Sequence, residues 1–152
     1  MPGDCVVRVA VEEDSRGCVE VLLERFNFQR KTTEDYLYQK MLKKEVLVAV
    51  NDEGVIGVLT YKDRFHGNNI YVQHLVVSRE HRRQGIGSIL LKEIGNWGEE
   101  NFRSSLTLET EDTNEPAQQF YEKHGFEKTG ANENPQKPGE RMIIYSLKLY
   151  KI

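Results

Sequence analysis

Apolar positions along the chain switch between alternating runs and runs that repeat every three to four residues, so strands and helices are expected to follow one another. Val6 to Val11 is β-branched and reads as a first strand, and Glu12-Glu13-Asp14-Ser15 puts carboxylates where a helix begins. Val19, Leu22, Leu23 and Phe26 keep helical spacing until Asn27 to Lys31 breaks it. Thr32 or Thr33, ahead of Glu34 and Asp35, is placed to cap a second helix carrying Tyr36, Leu37, Met41 and Leu42. Tyr36 and Tyr38 read as packing residues with wet hydroxyls. Val46 to Val50, the turn Asn51-Asp52-Glu53-Gly54 and Val55 to Tyr61 form a hairpin pattern, with Lys62 to Asn69 as a polar loop.

From Tyr71 to Trp97 a strand, a glycine-rich turn and a helix run together. Tyr71 to Val77 is rich in β-branched and apolar residues, and Ile86, Leu90, Ile94 and Trp97 form one apolar stripe of a helix. Leu106, Leu108 and Thr110 then alternate as a strand. Thr113-Asn114-Glu115-Pro116 is a helix entrance, and Ala117, Phe120, Tyr121 and His124 share one face of a short helix that Gly125 ends. Gly130 to Glu140 carries prolines, glycines and amides and reads as a loop, before a terminal strand at Ile143, Tyr145, Leu147 and Leu149.

Composition narrows the class. At 152 residues a single domain, 1–152, is expected. No apolar run approaches the ~20 residues that span a bilayer, and Met1 to Cys5 lacks a secretory pattern, so a cytoplasmic protein with no membrane partner is expected. Cys5 and Cys18 have neither metal nor redox spacing and read as structural, and His66, His74, His81 and His124 share no ligand spacing, so no metal is expected. A net charge of −3 argues against nucleic acid.

The chemistry is concentrated at Gly85 and Gly87. Glycine where a helix starts lets backbone approach a ligand, and the free N–H groups of the first turn form an anion site. Arg82 and Arg83 stand just before it, so the turn suits a diphosphate. A nucleotide-triphosphatase loop would need a lysine after Gly87, where Ser88 and Ile89 stand. A dinucleotide fingerprint would need a third glycine where Leu90 stands.

Arg82-Arg83-Gln84-Gly85-Ile86-Gly87 resembles motif A of the GNAT superfamily of N-acetyltransferases, [QR]-x-x-G-x-[GA], preceded by its strand pattern L-x-V at Leu75 to Val77. Asn114, Ala117, Phe120, Tyr121, Gly125 and Phe126 match motif B, N-x-x-A-x-x-[FL]-Y-x-x-x-G-F. The resemblance implies an α/β (α+β) fold, with a mixed, mostly antiparallel sheet of six to seven strands flanked by about four helices. It implies acetyl-coenzyme A as cosubstrate, bound by Leu75, Val76, Val77, Arg82, Arg83, Gln84, Gly85, Ile86, Gly87 and Ser88, with Asn114 and Tyr121 against its arm. A homodimer through the terminal strands is carried on resemblance alone.

In the family the acetyl group passes to an amine by direct attack, with oxyanion donors at the backbone N–H of Leu75 or Val76. Tyr121 is the expected acid: a phenol near ~10 can protonate a thiolate whose thiol sits near ~8.5. Where relatives carry a base on the central strand, Gln73 and Tyr71 stand here. Glu109 acting through water is the candidate, and His74 reads as a structural histidine. A small amine is the favoured acceptor, in a closed groove lined with carboxylates. A protein lysine or N-terminal amine, in an open groove, and an acetyl-CoA-binding module without turnover are the alternatives. In the family the first helix pair and the loop at 130–140 line that groove.

Overall fold

The structure is a computed structural model that describes residues 4–149. Its chain gathers into two compact units, one formed up to Lys62 and by His74–Asn96, the other by Asp63–Gln73 and from Trp97 onward.

The first unit holds strand β1 (Val6–Val9), helices α1 (Ser15–Arg25) and α2 (Arg30–Leu42), strand β2 (Val46–Asn51) and most of strand β3 (Gly54–Arg64). It also takes the second half of strand β4 (Asn69–Val77) and most of helix α3 (Ile86–Glu100). Cys18, Leu22, Leu37, Val48, Val58 and Val76 form its buried core, and each large aliphatic side chain removed from water contributes roughly 1.5–3 kcal/mol. Asp14 braces the entry to α1: its carboxylate takes both Nη atoms of Arg8, at 2.6 and 3.1 Å, and the Val11 N–H at 2.8 Å. The Arg8 bond outweighs burial and holds the Asp14 carboxyl below its usual range. The Lys40 ammonium meets Glu45 at 3.0 Å where α2 turns into β2, with both residues buried.

Two expectations fail here. The second helix begins at Arg30, not at a threonine cap, and Thr33 lies buried inside its first turn, its hydroxyl donating back to the Gln29 carbonyl. Leu42 is exposed, as the last residue of α2.

The second unit holds the first half of β4, strand β5 (Ser105–Glu111), helix α4 (Glu115–Lys123), and strands β6 (Glu127–Glu133) and β7 (Arg141–Lys148). β4 and β5 run parallel with Asn69 opposite Ser105 and Tyr71 opposite Thr107. β5/β7 and β6/β7 are antiparallel, as are β1/β2 and β2/β3. The seven strands follow the order β1-β2-β3-β4-β5-β7-β6, a mixed sheet that matches the expected fold class.

Two segments read as loops are strand. β3 continues through Lys62 to Arg64, and Asp63 within it takes a bidentate Arg103, at 2.7 and 2.9 Å. Gly130 to Glu133 belongs to β6, an edge strand whose side chains are nearly all exposed, so no apolar alternation marked it. The remaining turn is fixed by Asn134, which is buried and accepts from the Gln136 N–H at 3.0 Å. Gly125, at φ +90°, ends α4 as its sequence position implied.

Candidate active site

The glycine turn is built from both ends. After β4, Ser78 is buried and its N–H donates to the Ile56 carbonyl at 2.8 Å. His81 then bridges, with Nδ1 2.7 Å from Ser78 Oγ and Nε2 2.8 Å from the Glu53 carboxylate. The Arg79 N–H reaches Glu24 at 2.8 Å. Downstream, Ile86 and Leu90 seat α3 on β3 over Gly57, where an added Cβ would come within 3.0 Å of Ile86 and 3.1 Å of Leu90.

Between these anchors the chain makes two left-handed residues, Arg83 at φ +64° and Gly85 at φ +79°. The Gly85 carbonyl accepts the first helical bond, from Ile89 at 3.1 Å. The first turn of a helix leaves N–H groups outside the intrahelical ladder, and the positive end of the helix dipole lies there. Arg82 keeps its Nε 3.3 Å from the Val77 carbonyl, and among the described residues neither Arg82 nor Arg83 has a carboxylate partner. Backbone donors, a dipole and two guanidinium groups with no carboxylate partner among the described residues fit a pyrophosphate. Leu75, Val76 and Val77 lie on the strand that leads into this turn, with Val76 buried.

The first unit also contains a cavity of about 210 Å³ lined by α1, α2, the segment joining them and His74. Phe26 and Phe28 stack with centroids 5.2 Å apart, and His74 meets Phe26 and Tyr36 edge-on at 4.8 and 5.3 Å. His74 Nδ1 stands 3.1 Å from both Tyr36 Oη and Thr60 Oγ1, which are 2.9 Å from one another. Burial, and then the charge of Lys40, lower the His74 pKa below its usual value, so the imidazole is neutral at pH 7. His74 is therefore a hydrogen-bonded histidine, as expected, but it also faces a cavity. Sequence could not bring Tyr36, Thr60 and His74 together, because they stand on three separate elements. A wider groove of about 930 Å³ runs along α1 and α2, with Arg30 paired to Glu20 and Lys31 to Asp35 on its wall.

The remaining candidate residues fall in the second unit. The Glu109 carboxylate accepts from Tyr71 Oη at 3.0 Å, and Arg64 lies 4.5 Å over the Tyr71 ring. Gln73 is half-buried on β4. Asn114 caps α4, its Oδ1 accepting from the Ala117 N–H at 3.2 Å. Tyr121 is half-buried on α4, its ring within 6.1 Å of Tyr145 and 5.7 Å of Phe126. Tyr145 donates to Glu122 at 2.7 Å, and burial together with that carboxylate pushes its hydroxyl up to about 12, too high to release a proton near neutrality. Cys18 is fully buried and its thiol is likewise pushed up to about 12, which removes it as a nucleophile.

Known proteins match this arrangement. Over 92 residues the chain is 29% identical to streptothricin acetyltransferase A of Bacillus subtilis (strain 168), covering 60% of this chain and 53% of that protein. It is 36% identical to N-acetyltransferase family 8 member 3 of Rattus norvegicus, over 51% of this chain and 34% of that one. The chain thus spans about a third to a half of the length of these curated relatives. In fold it superposes on an aminoglycoside 6′-N-acetyltransferase complexed with coenzyme A, with a TM-score of 0.87 at 13% identity, covering 97% of this chain and 98% of the other. The family model described as the acetyltransferase (GNAT) family matches residues 9–126, from the first strand through motif B, and with a match of that extent the chain belongs to that family.

Proposed function

We propose that the chain is an acetyl-CoA-dependent N-acetyltransferase, working as one domain, that acetylates a primary amine on a small molecule by direct attack in a ternary complex. The observation that carries this reading is the turn from Arg82 to Ser88, with two left-handed residues and two arginines that have no carboxylate partner among the described residues, just before α3. Two of the proteins it resembles are named for streptothricin and aminoglycosides, which favours a small acceptor.

Acetyl-CoA supplies the acetyl thioester. The N–H groups from Gly85 to Ser88, with Arg82, Arg83 and Gln84, hold the pyrophosphate, and Ile86 fixes the helix end beneath it. The N–H groups of Leu75 and Val76 donate to the oxyanion, a contribution commonly worth ~3–4 kcal/mol, and Val77 holds the coenzyme arm along the strand. Asn114, which caps α4, contributes to the coenzyme arm's binding. Tyr121 gives its proton to the departing sulfur. Glu109, with Gln73 ordering the water, receives the proton from the amine. This chemistry needs no metal, nucleic acid or membrane, and suits a cytoplasmic enzyme, alone or as a homodimer.

The test is to supply acetyl-CoA with a panel of small amines and peptides and to measure released thiol together with the N-acetyl product. Thiol release that depends on a small amine, with an equal amount of acetylated amine, is expected. Tight acetyl-CoA binding without release to any acceptor would make the chain a binding module instead. Acetylation confined to peptides would move the acceptor to protein.

A further inference from the structure

We propose that the cavity between α1 and α2 takes the apolar, ring-bearing end of the acceptor, so that the substrate is a hydrophobic primary amine such as an arylalkylamine. This assignment rests on the acetyltransferase reading for its amine, but not for its pocket.

Volume sets the first limit. About 210 Å³ exceeds the ~150 Å³ of an apolar protein cavity that holds one benzene, so a single ring with a short tether fits and a multi-ring aminoglycoside does not. Lining sets the second. Leu22, Phe26 and Phe28 supply carbon, and Tyr36 and His74 add two further rings to the wall, so an aromatic ring would meet mostly aromatic neighbours. None of the lining residues is Asp or Glu, which departs from the carboxylate-lined groove expected for a small amine. A polycation would be stripped of water there with no counter-charge, a large penalty.

The polar side of the cavity carries no charge either. The imidazole is neutral, and the hydroxyls of Tyr36 and Thr60 fix its ring through Nδ1. A neutral amine, the form that attacks, is the form such a wall tolerates. Phe28 is 49% exposed, a large apolar ring left at the rim where a bound ring would cover it.

The experiment compares 2-phenylethylamine with spermidine and kanamycin as acceptors. Turnover is followed by thiol release, and amine affinity by calorimetry on the coenzyme A-loaded protein, where no transfer can occur. Thr32→Trp fills the mouth from an exposed position, and Phe28→Ala removes the rim. The expected result is a kcat/KM at least ~10-fold higher for 2-phenylethylamine, and a Kd weakened ~10-fold in both variants with acetyl-CoA affinity unchanged. This is the scale of one or two methylenes in a hydrophobic pocket. Preference for spermidine or kanamycin, or phenylethylamine binding untouched by Thr32→Trp, would overturn the pocket while leaving the acetyltransferase intact. Binding of phenylethylamine that Thr32→Trp abolishes, without turnover of any amine, would keep the pocket and overturn the enzyme.

Discussion

The two units present opposite kinds of surface. In the first, no Asp, Glu, Lys or Arg lines the cavity, and Arg82 and Arg83 stand beside the glycine turn. In the second, side chains bond across strands: Asn69 Nδ2 to Ser105 Oγ and Thr107 Oγ1, both at 2.8 Å, Thr129 to Ser146 at 3.2 Å, and Tyr71 to Glu109. Apolar walls and guanidinium groups suit holding a ligand, whereas hydroxyl and carboxylate groups bonded across strands suit moving protons. In the proposed reading the first unit carries the pyrophosphate turn and the cavity, and the second carries the proton-transfer residues Tyr121 and Glu109.

Each unit also holds an ion pair, buried in the first and half-buried in the second, and the largest expected effect lies in the buried one. Lys40 and Glu45 both have side chains about a tenth exposed, while Asp63 in the second unit is 24% exposed beside Arg103. Lys40→Ala leaves Glu45 without its ammonium in a buried site, and a loss of about 3–5 kcal/mol in denaturant unfolding is expected. Arg103→Ala should cost less, because water can reach Asp63. A double change of Lys40 and Glu45 to Met and Leu should recover most of the loss; failure to recover would mean that the pair is more than a brace.

The next effect separates chemistry from binding. Tyr121→Phe removes one hydroxyl and keeps the ring's packing, so turnover should fall by ~10²-fold, the low end for a general acid because a thiolate leaves readily. Acetyl-CoA affinity should stay unchanged. Single-turnover rates from pH 6 to 10 within ~3-fold of wild type would make Tyr121 a packing residue and leave the second unit without its acid.

The smallest effect concerns His74. Its pKa is lowered in the folded state, so the unfolded chain binds more protons below the unfolded value of ~6.5. Stability from this group is full above that pH and is lost as pH falls toward the folded value. Wild type should unfold at lower denaturant at pH 5 than at pH 7, and His74→Gln should show a shallower dependence. An unchanged slope would mean that the imidazole is not desolvated by the cavity.

Legibility followed burial. The α3 stripe was readable because Ile86, Leu90 and Ile94 are each at most 1% exposed, so the helical period and the burial period coincide. β6 was hidden because an edge strand buries little, and Thr129 and Gly130 carry no apolar signal. The glycine turn was visible as a contiguous motif. Its stabilising contacts were not: Glu53 and Glu24 reach it from 28 and 55 residues away. The cavity was harder still, since Tyr36 lies 24 residues from Thr60 and 38 from His74, and nothing local in the chain records their meeting. Short-range geometry can be read from order and spacing, while a pocket made of distant side chains needs the fold.

The most direct test of this division is the acetyl-CoA dissociation constant of Gly85→Val, measured by calorimetry beside Tyr121→Phe. Gly85 sits at φ +79°, where a β-branched residue is strained and its side chain would stand against the pyrophosphate. In a folded Gly85→Val protein, affinity should weaken by about 2–3 kcal/mol, the scale of small overpacking costs. Tyr121→Phe should bind as wild type does. Unchanged affinity in folded Gly85→Val would contradict the assignment, because the phosphates would then lie elsewhere.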